Sequence, residues 1–288
     1  MALYYKRKIA NKKGQPLKEP MNFAERWMSD GIQVCPRPGF VMSVEVDVSI
    51  CERKMADWKS QGAAMTYPAI LVRIAAMALA KEPQLHVMLS GYNRFYPEHV
   101  EIALSVAGES FVSPLMVIRE AETKDIFSIA EEIRYEASQV RERDRRANQL
   151  IRRWGWLIPF GWLRRAVLDF LFRRIWFQRK GAGTFQVSCL PDVDVFIPYI
   201  FSASALLAAG RVTTRPVMTA NRQELRPMMT LTCSANHSAW DGLCGNLFLK
   251  TVKQILESGE FLSERTAPQA RAELQNLRSP KEYLIRHG

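Results

Sequence analysis

Histidine is scarce in this chain: four among 288 residues, at positions 86, 99, 237 and 287, with no two at a metal-ligand spacing. The five cysteines (35, 51, 189, 233, 244) are odd in number and include no CxxC pair. These counts argue against a disulfide framework and a zinc knuckle, and no metal is expected. A reducing cytoplasm is the simplest expected location. No stretch of about 18 uninterrupted apolar residues occurs, which argues against a spanning helix. The opening MALYYKRKIANKK lacks the apolar centre of a signal peptide. Low-complexity tracts and repeats of solenoid period are also missing. What remains is 48% hydrophobic and 10% aromatic, the composition of a globular protein with one large core.

Acidic residues are thin in one place. Residues 141–180 hold twelve Arg/Lys against three acids, a net +9 of the chain's +11. The basicity therefore belongs to one element. Elsewhere the chain is close to neutral.

Periodicity supplies the elements. FVMSVEVDV (40–48) alternates, with Met42, Val44, Val46 and Val48 on one face, and predicts a half-buried strand. TYPAILVRIAAMALAKEP (66–83) is apolar nearly all round and predicts a deeply buried helix, with Thr66 as cap and Pro83 as stop. Residues 99–118 read as two short strands. TKDIFSIAEEIRYEASQV (123–140) is amphipathic and predicts a helix. Strands are expected at 183–190, 204–212 and 228–236, and a helix at 243–259 ended by Gly259. The C-terminal segment from 263 is polar and reads as a tail. Strands and helices mix without strict alternation, so the expected class is α+β, a large sheet with helices packed on it. No linker divides the chain, and 1–288 reads as a single domain with a basic aromatic insert at about 145–180.

CSANHSAWDGLCG (233–245) carries the chemistry. In MMTLTCSAN, Met229, Leu231, Cys233 and Ala235 alternate with Thr230, Thr232, Ser234 and Asn236. Continued one step, the alternation puts His237 on the apolar face. Two readings fit. His237 is either a partly buried histidine at a strand end or a general base in a low-dielectric slot, where an imidazole of ordinary pKa about 6.5 is well suited. Asp241 then caps the following helix, or pairs with an arginine, and supports the loop in either case.

HSAWDG fits the HxxxDG signature of the chloramphenicol acetyltransferase superfamily. More closely, the chain resembles the catalytic domain of the dihydrolipoamide acyltransferases of 2-oxo acid dehydrogenase complexes. FVMSVEVDVS, SPLMVIREAETKDIFSIAEEI, GTFQVSCL, AAGRVTTRPV and RPMMTLTCSANHSAWDG occur in the family's order over roughly 40–260, the insert excepted. The resemblance implies a two-layer sandwich, a large mixed β-sheet with helices on one face. It implies that His237 is the base that deprotonates the acceptor. Ser188, in QVSCL, falls on the hydroxyl that stabilises the oxyanion, and Asp241 on the structural aspartate. Transfer would be direct, and the site would lie between subunits of a homotrimer or an assembly of trimers.

The chain departs from the pattern at three points. Ser238 stands where the family has Arg, Asn236 where it has Asp, and Pro191 where it has Gly. No lipoyl-carrying or subunit-binding segment is recognised, so no lipoyl attachment is expected. The resulting expectation is a stand-alone acyltransferase. It would move an acyl group from a coenzyme A thioester or an acyl-carrier protein to a small-molecule acceptor bearing a thiol, hydroxyl or amine. The reading from another class is a non-catalytic scaffold that retains the fold.

RRWGWLIPFGWLRRAVLDFLFRRIWFQRK (152–180) holds four of the seven tryptophans. Trp162, Leu163, Ala166, Val167, Phe170, Leu171 and Ile175 can form one helical stripe with Arg164, Arg165, Arg173 and Arg174 largely off it, and Pro159 and Gly161 break the run in two. A packed excursion over the core or a neighbouring subunit is one reading. Peripheral contact with the inner face of an anionic membrane through 152–178 is another. Nucleic acid is not an expected partner, because the apolar stripe is too continuous for a phosphate-tracking surface.

Overall fold

The alternation of 39–47 and of 222–236 sets the architecture, because both strands turn one apolar face to the same helices. The structure, a computed structural model, describes residues 22–34, 39–90, 93–108, 113–200, 203–219 and 222–262. In chain order the helices and strands are α1 (Phe23–Val34), β1 (Gly39–Asp47), α2 (Ser49–Ser60), α3 (Tyr67–Lys81), β2 (Met88–Ser90) and β3 (Asn93–Phe95). They continue with β4 (Ile102–Ser105), β5 (Leu115–Ile118), α4 (Ile126–Trp154), α5 (Gly161–Phe172) and α6 (Ile175–Ala182). The last four are β6 (Phe185–Cys189), β7 (Ala205–Thr219), β8 (Arg222–Asn236) and α7 (Gly242–Ser258).

Six strands form one mixed sheet in the order β1-β8-β7-β6-β4-β5, with β6 parallel to both β4 and β7 and the other pairs antiparallel. β2 and β3 make a separate hairpin. α3, α4 and α7 share one core with the sheet. Ile70, Leu71 and Ile74 of α3, Ile129 of α4 and Val252 and Ile255 of α7 are all fully buried. This is the expected α+β two-layer arrangement.

The opposite face of the sheet is polar yet covered. Gln186, Ser188, Thr230, Thr232, Ser234 and Asn236 all lie buried there. A strap, residues 193–198, crosses this face: the Thr232 hydroxyl donates to the Phe196 carbonyl and the Ser234 hydroxyl to that of Pro198. Gly210 permits the close approach, since a Cβ there would stand 2.3 Å from the Asp194 carbonyl oxygen. Pro191 falls at the second position of the turn that launches the strap, where its fixed φ is favourable.

Several expectations change. Helix α4 runs 14 residues past the expected end at Val140, because its second half is basic and mostly exposed and the chain does not turn until Trp154–Gly155. β7 and β8 extend to 219 and from 222, forming a long hairpin in which each strand satisfies the other's backbone. Thr66 occupies the N-cap position of α3 without a side-chain cap bond. Helices α1 and α2 and the β2–β3 hairpin had no expectation attached. Cys35 and the tail from 263 lie outside the described residues.

Candidate active site

The candidate site begins where β8 leaves the sheet. Asn236 is the last strand residue, paired with Gly39 of β1. Its side-chain oxygen accepts the Ser238 N–H at 3.0 Å, and its carbonyl accepts the N–H groups of Ala239 (2.9 Å) and Trp240 (3.0 Å). An asparagine bonding two residues ahead is a standard turn-former. The turn pulls the chain off the sheet one residue before the alternation would have buried His237. His237 is exposed. The expected inward-facing, low-dielectric slot is therefore not present within one chain. The strand's hydrogen bonding ends at Asn236, and the turn lifts the imidazole out.

Three contacts hold this turn. Trp240 is 2% exposed, packs with Phe185 and Phe248, and donates its indole N–H to the Leu85 carbonyl at 2.8 Å. Truncating such a side chain costs about 3–5 kcal/mol. Asp241 caps α7, accepting the Cys244 N–H at 2.9 Å, and that backbone bond holds its carboxyl below the usual range. Of the two expected supporting roles, capping is the one observed. From the β2–β3 hairpin, Arg94 donates to the Ser238 carbonyl at 3.0 Å. Phe40 of β1 meets the His237 ring in a T-shaped contact at 5.5 Å. Gly245, in the first turn of α7, leaves the space Phe40 fills: a Cβ there would be 2.8 Å from the Phe40 ring.

Ser188 lies elsewhere. It is 7% exposed, on the polar face of β6, and its hydroxyl makes no hydrogen bond among the described residues. Ser188 is level with Ala208 of β7, and Ala208 with Thr232 of β8; His237 comes five residues later. At about 3.3 Å per residue and about 4.8 Å per strand, the two side chains are on the order of 15–20 Å apart in one chain. The fold does not bring them together within a single copy. The strap and the residue that follows it turn Val195, Ile197 and Tyr199 outward, at 50%, 56% and 87% exposure.

The start of β6 is locked by a buried polar knot. Gly183 takes φ +61, and a Cβ there would meet the Glu101 carbonyl oxygen at 2.4 Å. Thr184 binds the Glu101 backbone and pairs with His86 at 2.7 Å. Burial pushes His86 down to about 4. Burial also pushes the Cys51 and Cys233 thiols up to about 12 and Cys189 up to about 11, so none is a ready thiolate. Among the described residues no group of three or more His, Cys, Asp or Glu side chains is placed to hold a metal. An open cleft between Asp47, Arg53, Arg226 and Lys253 lies at the end of β1 away from His237.

Phe40, Arg94 and Trp240 were not singled out from sequence. Arg94 is 144 positions from its partner and carries no local signal. Asn236 had one: an Asx residue two before a backbone donor is a turn signature.

The family model of the 2-oxoacid dehydrogenases acyltransferase (catalytic domain) matches residues 22–151 and 180–263. A lipoamide acyltransferase component of a branched-chain alpha-keto acid dehydrogenase complex from Bacillus subtilis is 27% identical over 239 residues, 81% of this chain and 48% of the relative. The chain spans about half the length of the curated relatives it matches. The crystal structure of a probable dihydrolipoamide acetyltransferase from Listeria monocytogenes superposes with TM-score 0.64 at 24% identity, over 87% of this chain and 97% of that one. A dihydrolipoamide acetyltransferase from Azotobacter vinelandii, studied for the roles of one serine, one histidine and one asparagine in its catalytic mechanism, gives 0.66 at 17% identity over 87% and 96%.

Proposed function

We propose that this chain, which belongs to the family of 2-oxoacid dehydrogenase acyltransferase catalytic domains, transfers an acyl group from a thioester to a small acceptor at a site shared between two copies. His237 takes the proton from the acceptor thiol, hydroxyl or amine as it attacks the thioester carbonyl. Ser188 of the neighbouring copy donates its hydroxyl to the oxyanion of the tetrahedral intermediate. The intermediate collapses, the donor leaves as a free thiol, and no acyl-enzyme forms. Asp241 and Asn236 hold the His237 turn. The donor is a coenzyme A thioester or an acylated carrier protein.

The observation that carries this reading is the construction of the His237 turn. Arg94, from the β2–β3 hairpin, and three side chains of the turn itself (Asn236, Trp240 and Asp241) fix a backbone that presents an exposed imidazole. The Azotobacter enzyme's histidine and asparagine are four positions apart, the spacing of His237 and Asp241. The outward apolar row of Val195, Ile197 and Tyr199 supports a second copy as the source of the missing half. Ser238 and Pro191 alter the rim, so an acceptor other than lipoamide is part of the proposal.

The test is free-thiol release from acyl-CoA and from an acylated carrier protein across thiol, hydroxyl and amine acceptors, dihydrolipoamide included. Acceptor-dependent release is expected. No release with any donor and acceptor would favour the scaffold reading.

A further inference from the structure

The family match skips residues 152–179. That segment is an excursion made by the end of α4, helix α5 and most of α6. Its inner side is anchored to α1. Arg164 is buried, donates to Asp30 at 2.6 Å and to the carbonyls of Ile158 and Pro159, and Leu168 reaches Gly31. This corrects the single-stripe expectation: Arg164 belongs to the packed face, whereas Trp162, Ala166 and Phe170 face outward.

The outer side is unlike the rest of the molecule. Trp58 and Trp240 are 7% and 2% exposed, whereas all four tryptophans of the excursion (154, 156, 162 and 176) are 51–65% exposed. Three of them sit with Leu157 and Phe160 around the turn from α4 to α5, where Phe160 and Trp162 stack at 6.4 Å. This apolar tip is rimmed by one sign of charge. Arg153 lies over the Trp154 ring and Arg152 is exposed next to it in sequence, whereas Arg165, exposed on α5, has Nε 3.8 Å from the Asp30 carboxylate. The one acid of residues 150–180, Asp169, is already paired with Arg173. The second half of α4 is exposed on most sides. No described helix is long and apolar enough to cross a membrane. Exposed indoles and phenyls ringed by guanidiniums suit the boundary between phospholipid headgroups and acyl chains. A second copy docking the same patch on itself would set arginines against arginines.

We propose that the α4–α5 turn is an interfacial anchor that seats this protein on an anionic phospholipid bilayer, with Trp154, Trp156, Leu157, Phe160 and Trp162 in the boundary and Arg152 and Arg153 on the lipid phosphates. This stands independently of the acyl-transfer reading. The test is co-sedimentation of the full chain with vesicles of phosphatidylglycerol plus phosphatidylcholine and with phosphatidylcholine alone. Binding is expected to the first and to be weakened by salt. Replacing exposed side chains, W156S/F160S/W162S should reduce it about tenfold or more with an unchanged circular dichroism spectrum, and R152E/R153E should remove the preference for anionic lipid. Absence of wild-type binding to anionic vesicles would overturn the anchor, as would equal binding by W156S/F160S/W162S. So would a wild type that ignores vesicles while W156S/F160S/W162S loses oligomer mass in sedimentation velocity, which would assign the tip to a subunit contact.

Discussion

Ser188, on β6, and His237, just past the end of β8, stand two strands apart in the same sheet and are built in opposite ways. Ser188 is a strand residue, oriented by β-alternation and buried. His237 is a turn residue, lifted out of the alternation by Asn236 and exposed. The first is pre-set by the regular backbone; the second needs tertiary contacts from β1, β3 and α7 to hold its loop. In the site proposed above, a buried hydroxyl with no hydrogen bond among the described residues and an exposed imidazole are the two halves. The separation within one chain means that neither half is complete alone.

Four measurements test that contrast, beginning with the largest effect. His237→Ala should lower thioester turnover by about 10²–10⁴-fold with an unchanged melting temperature, because an exposed ring contributes little packing. Near-normal turnover would remove His237 as the base. Ser188→Ala should cost about 10²–10³ in rate, as loss of one oxyanion donor does. Co-expressing the two variants in equal amounts sharpens the result: random assembly should restore about a quarter of wild-type turnover if each site draws its two residues from different copies, and none if from one. A mixture as inactive as its parents would place both residues in one subunit.

The third effect concerns the knot beneath β6. Burial holds His86 down to about 4 in the folded protein, below its unfolded value of about 6.5. Its folded pKa is depressed, so the stability of the neutral form is fully present above about pH 6.5 and is lost as pH falls towards 4. The loss is of order 3 kcal/mol at most. His86→Gln should flatten the fall in melting temperature between pH 7 and pH 4.5, and an unchanged slope would show that another group governs it. The smallest effect is at the cap. Asp241→Ala should cost about 1 kcal/mol in denaturant unfolding, and Asp241→Asn much less, since Asn caps as well. Equal losses would mean that the carboxylate does more than cap.

The comparison extends to the glycines. Gly183 and Gly245 serve the two halves separately, one letting β6 cross the Glu101 backbone and the other letting Phe40 lie against α7. Both belong to stretches already conspicuous in the sequence, GTFQVSCL and DGLCG, although the reason for each glycine is a contact with a residue far along the chain.

Local rules of the chain determined much of this protein. Alternation put Met229, Leu231, Cys233 and Ala235 in the core and Thr230, Thr232, Ser234 and Asn236 on the other face, as the structure has them. Periodicity also located α3 and α7, because apolar repeats at helical spacing bury one way whatever they pack against. The order of the motifs identified the family. The fate of His237 was decided differently: the same alternation pointed it inward, and a hydrogen bond from the Ser238 N–H to the Asn236 side chain turned it out. Arg164 was likewise placed by its partner, Asp30, 134 positions away. Such outcomes depend on which distant groups meet, and spacing along the chain carries no record of that. The distance between Ser188 and His237 depends on strand order, which only the assembled sheet contains.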